Sequence, residues 1–184
     1  ICLLLLSIFT ITLINGLFLE KYYVSKKVEV LEEAKEVLSQ MNLDDILQYD
    51  TDIEEDKKGA TDEISDEIER SSSRNNLTWI IVNEENSGYY YWGENNMAKM
   101  LRSKLFGYIN NLDQDMQHSR VLKKTDTCTM WQVHDRFAGM EYVECWGQFD
   151  NGYYFLIRSP LESIKESASI SNSFYFIVGI IIIA

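Results

Sequence analysis

Two histidines, three cysteines and a single proline are all that these 184 residues contain of those types. Catalytic signatures are missing with them: there is no Gly-x-Ser-x-Gly elbow, no His-Glu-x-x-His pair and no phosphate loop with its lysine. No enzymatic activity is expected within this chain. Basic residues are also few, 17 against 29 acidic, for a net charge of −12. Phosphate binding needs the opposite field, which argues against nucleic acid as a partner but leaves a metal ion or a cationic ligand open. No internal repeat is evident.

Charge is missing altogether from Ile1 to Phe18, and the stretch begins without a methionine, as if cut from something longer. Eighteen uncharged, mostly apolar residues approach the roughly 20 needed to span a bilayer as a helix. The alternative, a cleaved signal peptide, wants a small-residue cleavage site, and the sequence from Asn15 to Glu20 offers none. Residues 1–19 are therefore expected to form a transmembrane helix. The closing run, Phe174 to Ala184, holds four consecutive isoleucines and reads as the start of a second span, within residues 172–184. Between the spans, about 155 residues suffice for one domain with a core. That domain, residues 20–171, then lies on one side of a membrane, with both chain ends on the other.

Neither glycine nor proline interrupts Glu20 to Met41, where apolar residues recur at Val24, Val28, Leu31, Leu38 and at Val30, Ala34, Val37, Met41. These helical spacings predict an amphipathic stalk continuing out of the membrane. An acidic tract follows. Asp50, Asp52 and Glu54 suggest a calcium loop, but Glu55 and Thr61 stand where an EF-hand needs glycine and glutamate, so a solvated acidic loop is expected and no metal site. A helix starting near Thr61 carries Ile64 and Ile68 on one face. "LTWIIVN" and "YYYW" predict a β-hairpin, and a helix from Asn95 to about Leu112 places Met97, Met100, Leu101, Leu105 and Ile109 on one side. The last third is strand-dense, with turn signals at "FAGM" and at Asn151-Gly152, a pair suited to a type I′ turn. Pro160 ends the final strand and sits where a helix can begin. An α+β domain follows: one antiparallel sheet of about five strands, with helices mostly on one face.

Such a sheet, with a helix between its second and third strands and a long membrane-linked helix before it, resembles the extracytoplasmic PAS-like (Cache-type) sensor domain. The closing "NGYYFLIRSPLESIKESASISNSF" is similar to the pre-membrane segment of sensor histidine kinases from Gram-positive bacteria. The resemblance implies a homodimeric two-component receptor in the cell membrane, whose cytoplasmic part would hold a phosphorylatable histidine, bind ATP and Mg²⁺, and pass the phosphoryl group to a response regulator. A chemoreceptor or a cyclic-dinucleotide enzyme can hang from the same sensor. The rival from another class is a membrane-tethered structural or interaction module of the cell envelope. Within the resemblance, the helix after Pro160 transmits the signal, with Leu161, Ile164 and Ala168 on one face; an inert serine-rich linker is the alternative. Val24, Val28, Leu31 and Leu38 are the dimer-stalk candidates.

The family's ligand pocket lies between the sheet and the helix joining strands two and three. This points to Arg102, Trp131, His134 and Tyr142 as candidate ligand-binding residues, the arginine suited to a carboxylate and the aromatics to apolar or cationic groups. Cys128 and Cys145, on consecutive strands, are candidates for a disulfide. A turn centred on Ala138-Gly139 would set them four residues out of register, about 13 Å apart, too far to bridge. A turn centred on Arg136-Phe137 would place them opposite. Buried free thiols are the other outcome.

Overall fold

The computed structural model describes residues 2–41, 48–49, 63–83, 88–93, 97–112, 119–161 and 178. Helix α1 runs from Cys2 to Ser39 without a break, as the absence of proline allows. The two-residue strand β1 (Gln48–Tyr49) and helix α2 (Glu63–Asn75) follow. Strands β2 (Thr78–Val82) and β3 (Gly88–Trp92) form the expected hairpin, and helix α3 spans Ala98–Ile109. Strands β4 (Arg120–Lys124), β5 (Cys128–Asp135), β6 (Met140–Gln148) and β7 (Tyr154–Pro160) complete the order. The chain divides into two compact units, Val28–Pro160 and a second made of Ile1–Lys27 with Leu161–Ala184.

The fold is α+β, with an open antiparallel sheet in the order β1-β3-β2-β7-β6-β5-β4. The sheet is wider than the sequence suggested: β4 and the short β1 extend a five-strand centre at its two edges. Arg120, Lys123 and Lys124 keep the β4 edge charged and exposed, which discourages pairing with another sheet. Helices cover both faces, not mostly one. Side chains alternate along a strand, and the register aligns Trp131, Glu144 and Arg158 in one row across β5, β6 and β7. That face meets α3 through Leu101, Lys104, Leu105 and Tyr108, whose spacing makes one helical stripe. On the opposite face the Trp79 indole donates to Ser72 Oγ of α2 at 2.9 Å, and Lys35 of α1 reaches Thr127 and Cys128. Leu31, Ala34, Leu38 and Met41 of the α1 segment are buried, a stripe drawn from both apolar rows read in the sequence. Leu31 and Leu38 are fully buried, so of the four stalk candidates only Val24 and Val28 keep exposed surface.

Asparagine, not glycine, ends both shorter helices. Asn76 (φ 53°) and Asn111 (φ 55°) adopt the left-handed conformation, and the next residue closes the turn: Leu77 N–H donates to Ser72 O at 2.9 Å and Leu112 N–H to Gly107 O at 2.8 Å. This is the Schellman pattern, which satisfies carbonyls the helix leaves open. The β6–β7 turn differs from the expected type I′, because Asn151 is not at positive φ. Gly152 N–H bonds to Phe149 O at 2.9 Å and only Gly152 is left-handed (φ 89°), a type I turn followed by a glycine bulge.

The apolar segments read as membrane helices lie largely outside the residues whose side chains are described. Among the described residues no helix is long and apolar enough to cross a membrane. The calcium-like residues Asp50, Asp52 and Glu54 also fall outside, and among those described no three metal-ligating side chains cluster.

Where β5 and β6 approach, a Cβ on Gly147 would lie 2.1 Å from Thr127 O and 2.8 Å from Cys128 Cα, both backbone atoms. Gly139 faces open space and carries only a positive φ (69°). Gly147→Ala is expected to lower stability by about 3 kcal/mol or more through broken strand pairing, and Gly139→Ala by about 1–2 kcal/mol. Urea unfolding midpoints of the two variants check this order.

Candidate functional site

Four charged side chains sit where α3 crosses β5, β6 and β7, and all are buried: Lys104, Asp135, Glu144 and Arg158. Lys104 Nζ donates to Asp135 Oδ2 at 3.0 Å and to Glu144 Oε1 at 2.9 Å. Arg158 Nη1 donates to the same Asp135 oxygen at 2.9 Å. Tyr108 hydroxyl, one turn beyond Lys104 on α3, donates to Glu144 Oε2 at 2.5 Å. Two cations and two carboxylates sum to zero, so the cluster buries no net charge. A buried ion pair survives only when its lone pairs and protons are satisfied in this way.

Each member of the cluster is positioned by local structure. The Asp135 carboxylate also builds the β5–β6 turn, its Oδ1 accepting from Phe137 N–H at 2.9 Å and Ala138 N–H at 3.0 Å. One carboxylate thus couples the turn to the cluster. Glu144 and Arg158 are cross-strand partners at the middle of the sheet. The Arg158 guanidinium stacks over the Tyr142 ring at 4.3 Å, an arrangement its planar cation favours. Beside the cluster, Tyr108 packs edge-on to Trp131 at 4.7 Å, and Trp146 tilts against both. Among the described residues, Arg158 Nε and the indole N–H groups of Trp131 and Trp146 are buried with no hydrogen-bond partner.

Electrostatics follows from the geometry. Burial penalises the Lys104 ammonium, but Glu144 and Asp135 outweigh that penalty and its pKa is raised. Burial likewise opposes the Asp135 carboxylate, yet the Ala138 N–H, Lys104 and Arg158 pull its pKa below the usual carboxylate range. Tyr142 moves up, chiefly through burial, against the pull of Arg158. Lys104 and Asp135 therefore stay charged across the neutral range, and Tyr142 stays neutral.

Of the four candidate ligand residues, three lie on the α3 side and one does not. Trp131 and Tyr142 are buried and engaged by Tyr108 and Arg158, and Arg102 packs over the Tyr89 ring at 5.6 Å. His134 has the opposite parity on β5 and is exposed on the other face. Leu161 is buried, while Ile164 and Ala168 lie outside the described residues.

Cys128 and Cys145 are both free and buried. The turn takes a register midway between the two considered, pairing Asp135 with Met140 and hence Cys128 with Gly147 and Met130 with Cys145. The cysteines therefore stand on a diagonal of the same face, neither opposite nor four residues apart. On that face, behind Thr127, an open cleft of about 460 Å³ separates Glu32, Lys35 and Glu36 of α1 from Phe149 and Asp150.

The charged cluster was not singled out in the sequence, although two signals point to it. Lys104 interrupts the apolar stripe Leu101, Leu105, Tyr108, and Glu144 shares inward parity with Tyr142 and Trp146. Charges on inward positions are rare unless paired.

Lys104→Met alone is expected to cost about 3–5 kcal/mol, because it strands buried carboxylates. Combined with Glu144→Gln, which restores the charge balance, the loss is expected to be smaller than the sum by more than about 1 kcal/mol, read from a double-mutant cycle in urea. The shifts also set a pH window. Asp135 is depressed, so its contribution is present above its unfolded pKa and is lost as pH falls through the lower folded value. Lys104 is raised, so its contribution is present below its unfolded pKa and is lost as pH rises through the higher folded value. The difference in urea midpoint between the native chain and Lys104→Met, which isolates these contributions, is expected to hold between about pH 5 and 9 and to shrink on both sides.

No family model, curated protein or solved structure matches this chain.

Proposed function

We propose that this chain is the extracytoplasmic, PAS-like (Cache-type) sensing domain of a two-pass membrane receptor, a two-component sensor histidine kinase acting as a homodimer. The observation that carries the reading is the place of β7. It is the central strand of the sheet, it holds Arg158 of the buried cluster, and it runs to Pro160, after which the chain enters the serine-rich segment and the closing apolar run. Ser159, between them, donates to Asn75 O at the end of α2 at 3.1 Å. A change in how α3 sits on the sheet is thus felt within two residues of the exit.

Two further features support it. Helix α3 falls between the second and third of the five central strands, and α1 begins in an uncharged stretch and continues unbroken into the sensing domain. The space in which the resembled family seats a ligand is held here by Lys104, Asp135, Glu144, Arg158 and their aromatic neighbours. In this reading the input works by loosening or tightening that contact, and Arg102, Trp131 and Tyr142 serve it by packing. An apolar or ionic ligand between the layers would have to displace paired charges.

The test uses the full-length protein in membrane vesicles, with autophosphorylation as the readout. Glu144→Gln, which keeps the shape and removes one buried charge, is expected to shift output about five-fold or more, the scale of a coupling of 1 kcal/mol. Lys99→Ala, an exposed change on the same helix, is the control and is expected to leave output unaltered. Equal output from native protein and Glu144→Gln, or no phosphorylation at all, sinks the reading and favours a membrane-tethered structural module.

A further inference from the structure

On the sheet face away from α3, one sulfur is met from three sides. Cys128 Sγ lies 3.2 Å from Thr125 Oγ1 and 4.0 Å from Lys35 Nζ of α1, and Cys145 of β6 stands on the diagonal of the same face. The Lys35 ammonium favours a thiolate on Cys128, and the Thr125 hydroxyl and Cys145 thiol are each able to donate to it. Glu32 of α1 opposes them, but its carboxylate is held by Lys123 of β4. The two sulfurs are also unequal in access. Cys145 is fully buried, whereas Cys128 keeps 6% of its surface and follows Thr127, a residue that lines the open cleft.

We propose that Cys128 and Cys145 form a hydroperoxide-reactive dithiol, in which Cys128 is the attacking sulfur and Cys145 the resolving one. In the first step the Cys128 thiolate attacks one peroxide oxygen. An S–O bond forms, the O–O bond breaks, and the departing hydroxide takes a proton and leaves as water, giving a sulfenic acid. In the second step Cys145 attacks the Cys128 sulfur. The S–S bond forms, the S–O bond breaks, and the Cys145 proton leaves with the hydroxide as a second water. Two thiols have given two electrons to one peroxide, and no other reductant is needed.

Register says what kind of disulfide results. Diagonal positions on paired strands stand about 7–8 Å apart, just beyond the reach of an unstrained bridge. Closing it draws β5 and β6 together where Gly147, opposite Cys128, already permits close approach. A strained bridge of this kind is easily reduced, as regulatory disulfides are. The site is independent of the sensing assignment, and failure of either leaves the other standing.

The test takes the reduced full chain at pH 7 with equimolar hydrogen peroxide, followed by peptide mass spectrometry. A bridge joining the Cys128 and Cys145 peptides is expected in the native chain, and a dimedone adduct on Cys128 in Cys145→Ser. Cys128→Ser is expected to leave Cys145 unoxidised. A second measurement needs no variant: the rate of Cys128 alkylation by iodoacetamide against pH. The Cys145 hydrogen bond, followed against burial by Thr125 and Lys35, lowers the Cys128 pKa to about 6, so half-maximal rate is expected near that pH. An alkylation profile in the ordinary thiol range, a missing dimedone adduct, or sulfenic acid persisting on Cys128 in the native chain overturns the proposal.

Discussion

The contact between α3 and the sheet depends on a balance of four buried charges. Lys104 bridges Asp135 and Glu144, and Arg158 returns to Asp135, so every formal charge faces an opposite one within 3.0 Å. Removing such charges from water costs several kcal/mol per ion, and the loss is offset only when all partners are in place. An apolar interface would tolerate sliding of α3 by a fraction of a turn. This one does not, because a small displacement leaves a buried charge unpaired. The cluster specifies one position of the helix, and the Tyr108, Trp131 and Trp146 rings pack around that position.

The two faces of the sheet have different chemistry. On the α3 side, ion pairs and aromatic rings fix geometry. On the other side, α1 and α2 pack through apolar residues, hydrogen bonds from Trp79, Ser159 and Lys35, and a partly open cleft. Strands β5, β6 and β7 carry both, since alternate residues of each strand point to opposite sides. Glu144 and Cys145 are adjacent in sequence yet belong to different faces. A shift of β6 is therefore felt by the ion cluster and by the thiol pair together.

Several elements could be read in the sequence because their signals are local. The α1 stalk follows from a long stretch without glycine or proline, and the β2–β3 hairpin from two runs of β-branched and aromatic residues around a polar turn. Asn151-Gly152 marked a turn correctly but not its type. The bulged form keeps Asn151 out of the left-handed region and leaves that conformation to Gly152 alone. His134 was grouped with Trp131 and Tyr142 because all lie on neighbouring strands. Parity separates them: Trp131 and Val133 point to α3, and His134 between Val133 and Asp135 points away.

By itself the sequence determined the kinds of element and their order, because apolar periodicity, turn residues and uncharged runs are properties of a few neighbouring residues. It also determined the charge imbalance that argues against nucleic acid, and it marked the two apolar ends. Tertiary structure alone decided which helix covers which face, how β5 and β6 are registered, and which charges meet. Lys104 finds Glu144 across 40 positions and Arg158 finds Asp135 across 23, and the register that aligns them also sets Cys145 diagonal to Cys128. No local pattern encodes such pairings. They arise because a charge or thiol committed to the interior must find its partner among whatever side chains the sheet register brings near.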